Sequence, residues 1–203
     1  MRAKSDRLTK TGKVISRVAN PCILSILVLA LMATTASTDA NSLISWIVTL
    51  IIFLVLLPTV YVFVRTYKNR DIIRLILSPT GFLKQHPKDV LVVALLFGLS
   101  GQIILFLLNA PPILLYTYAA LFTGSIVIAI LNMFYRVSYH MGAITILAIM
   151  VLIAWGQNLL PILFAIPIIG WAKYQIQEHT LAQIIIGFAG GMVISGIFLL
   201  LHI

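Results

Sequence analysis

The sequence predicts an all-α integral membrane protein, a multi-span bundle of about seven helices. Three observations carry that prediction. Apolar residues make up 61% of the 203-residue chain and charged residues only 9%, with a mean hydropathy of +1.10. Soluble domains run at roughly 45–50% apolar and about 25% charged, so this chain has too little polar surface to cover a water-soluble globule. The apolar residues fall in seven runs, at about 20–37, 43–64, 90–108, 113–133, 141–157, 159–171 and 180–202. These are too continuous for strands of a soluble sheet, and most approach the roughly 20 residues a helix needs to cross a bilayer. The third observation is that the charge is sorted along the chain.

Residues 1–19 form a basic segment holding Arg2, Lys4, Arg7, Lys10, Lys13 and Arg17. Residues 20–42 supply the first apolar helix and its loop. A basic start, an apolar stretch and small residues near Ala33 and Ala36 also suit a signal peptide, but the basic region is long for one, which favours an uncleaved anchor. The lone cysteine, Cys22, forms no internal disulfide and lacks metal-type spacing. Thr38-Asp39-Ala40-Asn41 ends this helix with turn chemistry, and the run at 43–64 follows with Pro58 inside it.

The only sizeable polar connection is 66–88. From Arg65 to Leu77 it interleaves Lys68, Arg70, Asp71 and Arg74 with Ile72, Ile73, Leu75, Ile76 and Leu77, which suits a helix lying in the membrane interface. A solvated basic connector is the alternative. Ser78-Pro79-Thr80-Gly81 closes the stretch, and Lys84 and Lys88 precede the run at 90–108. The next break, Asn109-Ala110-Pro111-Pro112, contains no cation, nor does Gly156-Gln157-Asn158 after the run at 141–157. Pro161 and Pro167 fall within the run at 159–171, where they are expected to kink a helix.

The formal charge of +9 would suggest nucleic acid in a soluble protein, but its placement gives it another meaning. Putting the two six-cation segments in the cytoplasm puts the connections bearing Arg136 and Lys173 there too, so all 14 Lys and Arg share one side. The N-terminus is then cytoplasmic and the C-terminus outside. Retention and attraction to anionic lipid account for the charge, and no nucleic-acid partner is expected.

Where polar residues are this scarce, those at membrane depth or its margin point to function. One cluster is Arg136, Ser138, Tyr139 and His140; the other is Lys173, Glu178, His179 and Gln183. Both lie on the cytoplasmic side by the charge rule. His179, Gln183, Gly187, Gly191 and Ser195 recur every four residues, which puts them near one helix face whose small members admit a neighbouring helix. Two His, a Lys and an Arg with one nearby acid make a poor metal site, and no metal or other cofactor is expected. They suit a phosphate: the cations supply charge, a helix start supplies backbone N–H groups, and His serves as nucleophile or general acid. Two interfacial histidines that merely face headgroups are the plainer alternative.

At these residues the chain resembles the type-2 phosphatidic acid phosphatase superfamily, membrane relatives of the vanadium haloperoxidases. Val137-Ser138-Tyr139-His140 resembles the family's P-S-G-H motif, with Ser and His kept. Ala172-Lys173, His179 and Gln183 follow the spacing of S-R-x-x-x-x-x-H-x-x-x-D throughout, with Ala, Lys and Gln in place of Ser, Arg and Asp. The remaining motif, K-x-x-x-x-x-x-R-P, is not present, which leaves Lys84, Lys88 or Arg136 to stand in. The likeness covers residues 43–203 as a six-helix domain, to which the helix at 20–37 is an addition that inverts the usual orientation.

The resemblance implies hydrolysis of a phosphate monoester or diphosphate on a diacylglycerol or isoprenoid lipid, without a metal. It implies His179 as the nucleophile that forms a phosphohistidine, partnered by Gln183, and His140 as the acid that protonates the leaving alcohol. Lys173, Ser138 and Arg136 would hold the phosphate. The expected partners are membrane lipids, a lipid phosphate foremost. An amide at 183 keeps the His tautomer but stabilises its cation poorly, and Lys173 lacks the guanidinium fork. A non-catalytic relative that binds anionic headgroups, or acts as a membrane partner, is therefore the second expectation.

Overall fold

The computed structural model describes residues 10–67 apart from Arg17, and 87–202. Most of the stretch proposed as an interfacial helix, and Lys84, lie outside the described residues. Among those described there is no strand. The basic helix Lys10–Ser16 leads into Pro21–Ala36 across a bend of 41°. Then come Ala40–Ile51 and Leu57–Tyr67, joined by a π-helical turn at Ile52–Leu56. Pro87–Val93 and Leu99–Leu107 are joined in the same way at Ala94–Gly98, and Pro112–Phe134, Tyr139–Trp155, Ala165–Gln175 and Leu181–His202 complete the chain.

Each start has a local cause. Asn20 accepts from the Cys22 N–H at 3.0 Å with Pro21 at the first helical position, and Asp39 accepts from the Ser42 N–H at 2.9 Å. Pro111 and Pro112 set the φ of the next start, and Ser138 caps the Tyr139 helix. The π turn at Ile52–Leu56 lies just ahead of Pro58, whose missing N–H breaks the regular ladder there. Pro167 does not kink a helix interior as expected. The run at 159–171 begins as a 3-10 helix, Gln157–Phe164, that contains Pro161, and the α-helix begins only at Ala165. Pro167 thus sits in a first turn, where its missing N–H costs nothing.

Every apolar run read from the sequence coincides with helix, but the helices differ in reach. Ala40–Arg65, Pro87–Leu107, Pro112–Phe134 and Leu181–Leu201 are each long and apolar enough to cross a membrane, and Lys10–Ser16 with Pro21–Ala36 adds a fifth if the bent pair is one span. Tyr139–Trp155 has 17 residues and Ala165–Gln175 has 11, about 25 and 16 Å at 1.5 Å per residue, both short of the roughly 30 Å hydrocarbon core. Large apolar side chains such as Leu27, Val64, Leu107, Phe134 and Leu200 point outward. Several apolar helices with apolar exteriors suggest a multi-pass membrane protein.

Tyr139–Trp155 is the central helix, with buried residues from His140 to Val151. It packs chiefly on Leu181–His202 and Pro112–Phe134. One core cluster gathers Leu29, Trp46, Leu105, Leu114, Tyr118 and Met150. The second gathers Ala19, Met141, Ile144, Ile169 and Ile184, with Ile15 packed against it, and underlies the candidate site. The N-terminal helix reaches the same end: a Cβ on Gly12 would lie 3.2 Å from the Ala172 carbonyl oxygen and 3.1 Å from Ile176. The Lys10–Ser16 helix and the Lys173 cluster therefore share one end of the bundle.

Candidate functional site

The site is assembled where the Tyr139 and Leu181 helices cross. A Cβ on Gly187 would lie 2.6 Å from the Ser138 carbonyl oxygen, and one on Gly191 would lie 2.7 Å from the Gly142 carbonyl oxygen. The paired numbers rise together, so the two helices run parallel and their N-termini lie at the same end. The Ser138 N–H donates to the Gln183 carbonyl at 3.2 Å, which ties the two starts to each other. The stripe of small residues described from sequence is the face on which this crossing is made, with Gly187, Gly191 and Ser195 buried.

Both helix starts are capped by side chains. The Met141 N–H points to Ser138 Oγ at 3.4 Å. Thr180 and Gln183 form a reciprocal capping box: the Gln183 N–H donates to Thr180 Oγ1 at 3.4 Å, and the Thr180 N–H donates to Gln183 Oε1 at 3.2 Å. That second bond fixes which end of the amide is oxygen. His179 Nδ1 lies 3.1 Å from the same Oε1, so Nδ1 carries a proton and donates it there, and a neutral ring so held would have its lone pair on Nε2.

The preceding helix ends in a Schellman cap. The Gln177 N–H donates to the Tyr174 carbonyl at 3.0 Å and the Glu178 N–H to the Lys173 carbonyl at 3.2 Å, with Gln177 left-handed at φ 55°. Such caps usually close with an apolar contact between the two residues that Lys173 and Glu178 occupy here. At Leu105 and Ala110 the chain does close a second Schellman cap that way, around Asn109 at φ 52°. At Lys173 the contact is an ion pair, Nζ to Glu178 Oε2 at 2.8 Å. The Lys173 side chain is 2% exposed and that of Glu178 38%, so the pair runs from the interior to the surface.

A cleft of about 1010 Å³ opens at this end. Arg136, Tyr174, Glu178, His179, Thr180 and Gln183 line it, with Asn132 at the edge. Of the residues singled out from sequence, Arg136, Glu178, His179 and Gln183 thus meet on one cleft. Ser138, His140 and Lys173 are buried and not among its lining residues, and Lys173 connects to it through Glu178. Lys88 is exposed and does not line it.

Two contributors were not foreseen in their roles. Asn132 accepts from the Val137 N–H at 3.0 Å while its own amide donates to the Ile128 carbonyl at 2.8 Å, folding the Arg136 turn back on the helix before it. Thr180 is the other, and its signal was present as Thr-Leu-Ala-Gln ahead of an apolar run. Farther away, Tyr61 donates to Asp89 Oδ1 at 3.0 Å, with Arg65 Nε 3.5 Å from the same oxygen, pairing the two helices there. Among the described residues no group of three His, Cys, Asp or Glu side chains could hold a metal.

Chemically, the start of the Leu181 helix and Arg136 bring positive character to a cleft at one end of a helical bundle, whose lining also holds His179 and Glu178. No protein-family model, curated protein or solved structure matches the chain.

Proposed function

We propose that the chain is a seven-span membrane protein of the type-2 phosphatidic acid phosphatase kind, which hydrolyses a phosphate monoester or diphosphate of a diacylglycerol or isoprenoid lipid. Six helices form the domain at 43–203, the N-terminus and cleft are cytoplasmic, and the lipid tail lies among the helices. The observation that supports this reading is the Gln183–His179 contact, which engages Nδ1 and leaves Nε2, buried at the cleft, as the nitrogen proposed to attack. In the reaction, Nε2 attacks phosphorus as the P–O bond to the lipid breaks, and His140 gives its proton to the leaving oxygen. Water then attacks the phosphohistidine, losing its proton to His140 and releasing phosphate. Because His140 is buried outside the cleft lining, its role requires the Arg136 turn to move.

The test is phosphate release from a panel of lipid phosphates by wild type, His179→Ala and Gln183→Asp. We expect turnover in wild type, none in His179→Ala, and faster turnover in Gln183→Asp, since a carboxylate stabilises the imidazolium that an amide does not. No release from any lipid, where a full-motif relative is active, sinks the reading. The Lys173–Glu178 pair favours a second one, a non-catalytic protein that binds anionic headgroups or acts as a membrane partner, because with Lys173 held by Glu178 the phosphate clamp is incomplete for turnover while Arg136 still lines the cleft. Lipid-phosphate binding that survives His179→Ala, with no turnover in either form, would establish it.

A further inference from the structure

We infer that Glu178 is the specificity-determining residue of this cleft, an internal anion that occupies the Lys173 ammonium until a phosphoryl group of the ligand takes its place. The inference rests on the phosphate reading of the site. Three observations support it. The pair is close, at 2.8 Å, and its two halves are unequally exposed. Glu178 lines the cleft together with Arg136 and His179, so an incoming anion approaches beside it. Finally, the Schellman cap fixes the backbone on both sides of the pair, with Glu178 N–H on the Lys173 carbonyl, so the side chain can leave while the main chain stays.

Charge then decides which ligands open the site. With Glu178 on Lys173 the two cancel, and among the described lining residues Arg136 contributes the uncompensated formal charge. With Glu178 turned out to water, Lys173 and Arg136 together present two cations, which matches a dianionic phosphate monoester. A buried ammonium is costly to strip of its carboxylate, so the exchange requires a ligand oxygen to arrive as Glu178 departs. Neutral headgroups cannot drive it. A singly charged diester can replace the carboxylate on Lys173 or pair with Arg136, but its one charge does not satisfy both.

The experiment is calorimetric titration of the detergent-solubilised full chain with inorganic phosphate, and separately with dimethyl phosphate as a singly charged diester. Glu178→Gln keeps an acceptor for Lys173 and removes the charge. We expect it to bind inorganic phosphate about tenfold more tightly than wild type, the scale of one partly screened like-charge contact removed. The preference for phosphate over the diester should be present in wild type. The gain should vanish when Glu178→Gln is made in a Lys173→Met background. If Glu178→Gln does not fold, Glu178→Asp, whose shorter arm pairs less well with Lys173, should also tighten phosphate binding.

Equal or weaker binding by the folded variant, or a gain that persists without Lys173, overturns the inference, as does no binding of phosphate by any form. Repeating the titration on His179→Ala separates the two claims. Absent phosphate release defeats the hydrolase reading and leaves these affinities standing. Equal affinities defeat the exchange and leave turnover untouched.

Discussion

Replacing Gly191 by alanine should loosen the helix crossing that builds the site, whereas the same change at the next glycine should tighten the protein. A Cβ at Gly191 would meet both the Gly142 carbonyl oxygen and Thr145 Cβ at 2.7 Å, against ordinary contacts that begin near 3.4 Å. The shortfall of about 0.7 Å involves a backbone carbonyl, which cannot swing aside, so the helices must part. Overpacking of this kind costs about 1–3 kcal/mol, and strain on the Ser138–Gln183 backbone bond adds up to about 1 kcal/mol. Alanine returns about 1 kcal/mol through helix propensity, leaving a net loss of up to about 3 kcal/mol. At Gly190 nothing lies within 4 Å of the same Cβ, so only the propensity gain remains, about 0.5–1 kcal/mol. The assay is thermal unfolding in one detergent, followed by circular dichroism and by the near-ultraviolet signal. Gly191→Ala should melt several degrees below wild type and Gly190→Ala at or above it. Equal midpoints for the two variants, or a Gly191→Ala midpoint at wild type, would refute the close-crossing account.

Two other expectations follow from the caps. Gln177→Gly relieves a left-handed residue and should raise stability by about 1 kcal/mol, read as a higher melting midpoint, while Gln177→Val lowers it. Asp39 accepts from the Ser42 N–H, a bond that holds its carboxyl below the usual carboxylate range. A lowered folded-state value means its contribution is present above about pH 4 and is lost as pH falls further. Asp39→Asn keeps the cap and should remove that part of the acid dependence in unfolding measured from pH 6 down to pH 2.

Much of the fold was legible because the bilayer imposes it. Each apolar run became helix, since a backbone out of water has to satisfy its own polar groups. Hydropathy could not reveal how each run divides. The run at 159–171 looks like one span, but Pro161 sits in a 3-10 segment and the α-helix starts only at Ala165. Nothing in composition marks the π turn at Ala94–Gly98, which contains no proline.

The site was legible in its parts more than in its wiring. The spacing of four from Gln183 to Ser195 located the buried face, because small residues on a helix have few other uses where lipid offers no hydrophobic drive to association. The spacing also brought His179 and Gln183 together, four residues apart. It did not separate Arg136, which faces the cleft, from His140 and Lys173, which are buried behind it. That distinction depends on Asn132 folding the turn and on the cap at Gln177, both tertiary or backbone events that a residue pattern does not encode. Glu178 was visible as the nearby acid, but its bond to Lys173 follows from the left-handed residue between them.

The central position of the Tyr139–Trp155 helix bears on how the protein is made. Most of this helix is apolar, and its Gly142 packs against Ile128 of the preceding helix, yet the contacts of Gly142 and Thr145 with the Gly187 and Gly191 face form only once the Leu181 helix arrives. Those partners lie roughly 50 residues later in the chain, about 2–10 s at ordinary rates of translation. During that interval the cleft, whose lining includes residues from Tyr174 to Gln183, does not yet exist. A ribosome stalled between the two helices would therefore leave the Tyr139 helix without its Leu181 partner and without the cleft, and under the proposed function phosphate binding would report completed assembly.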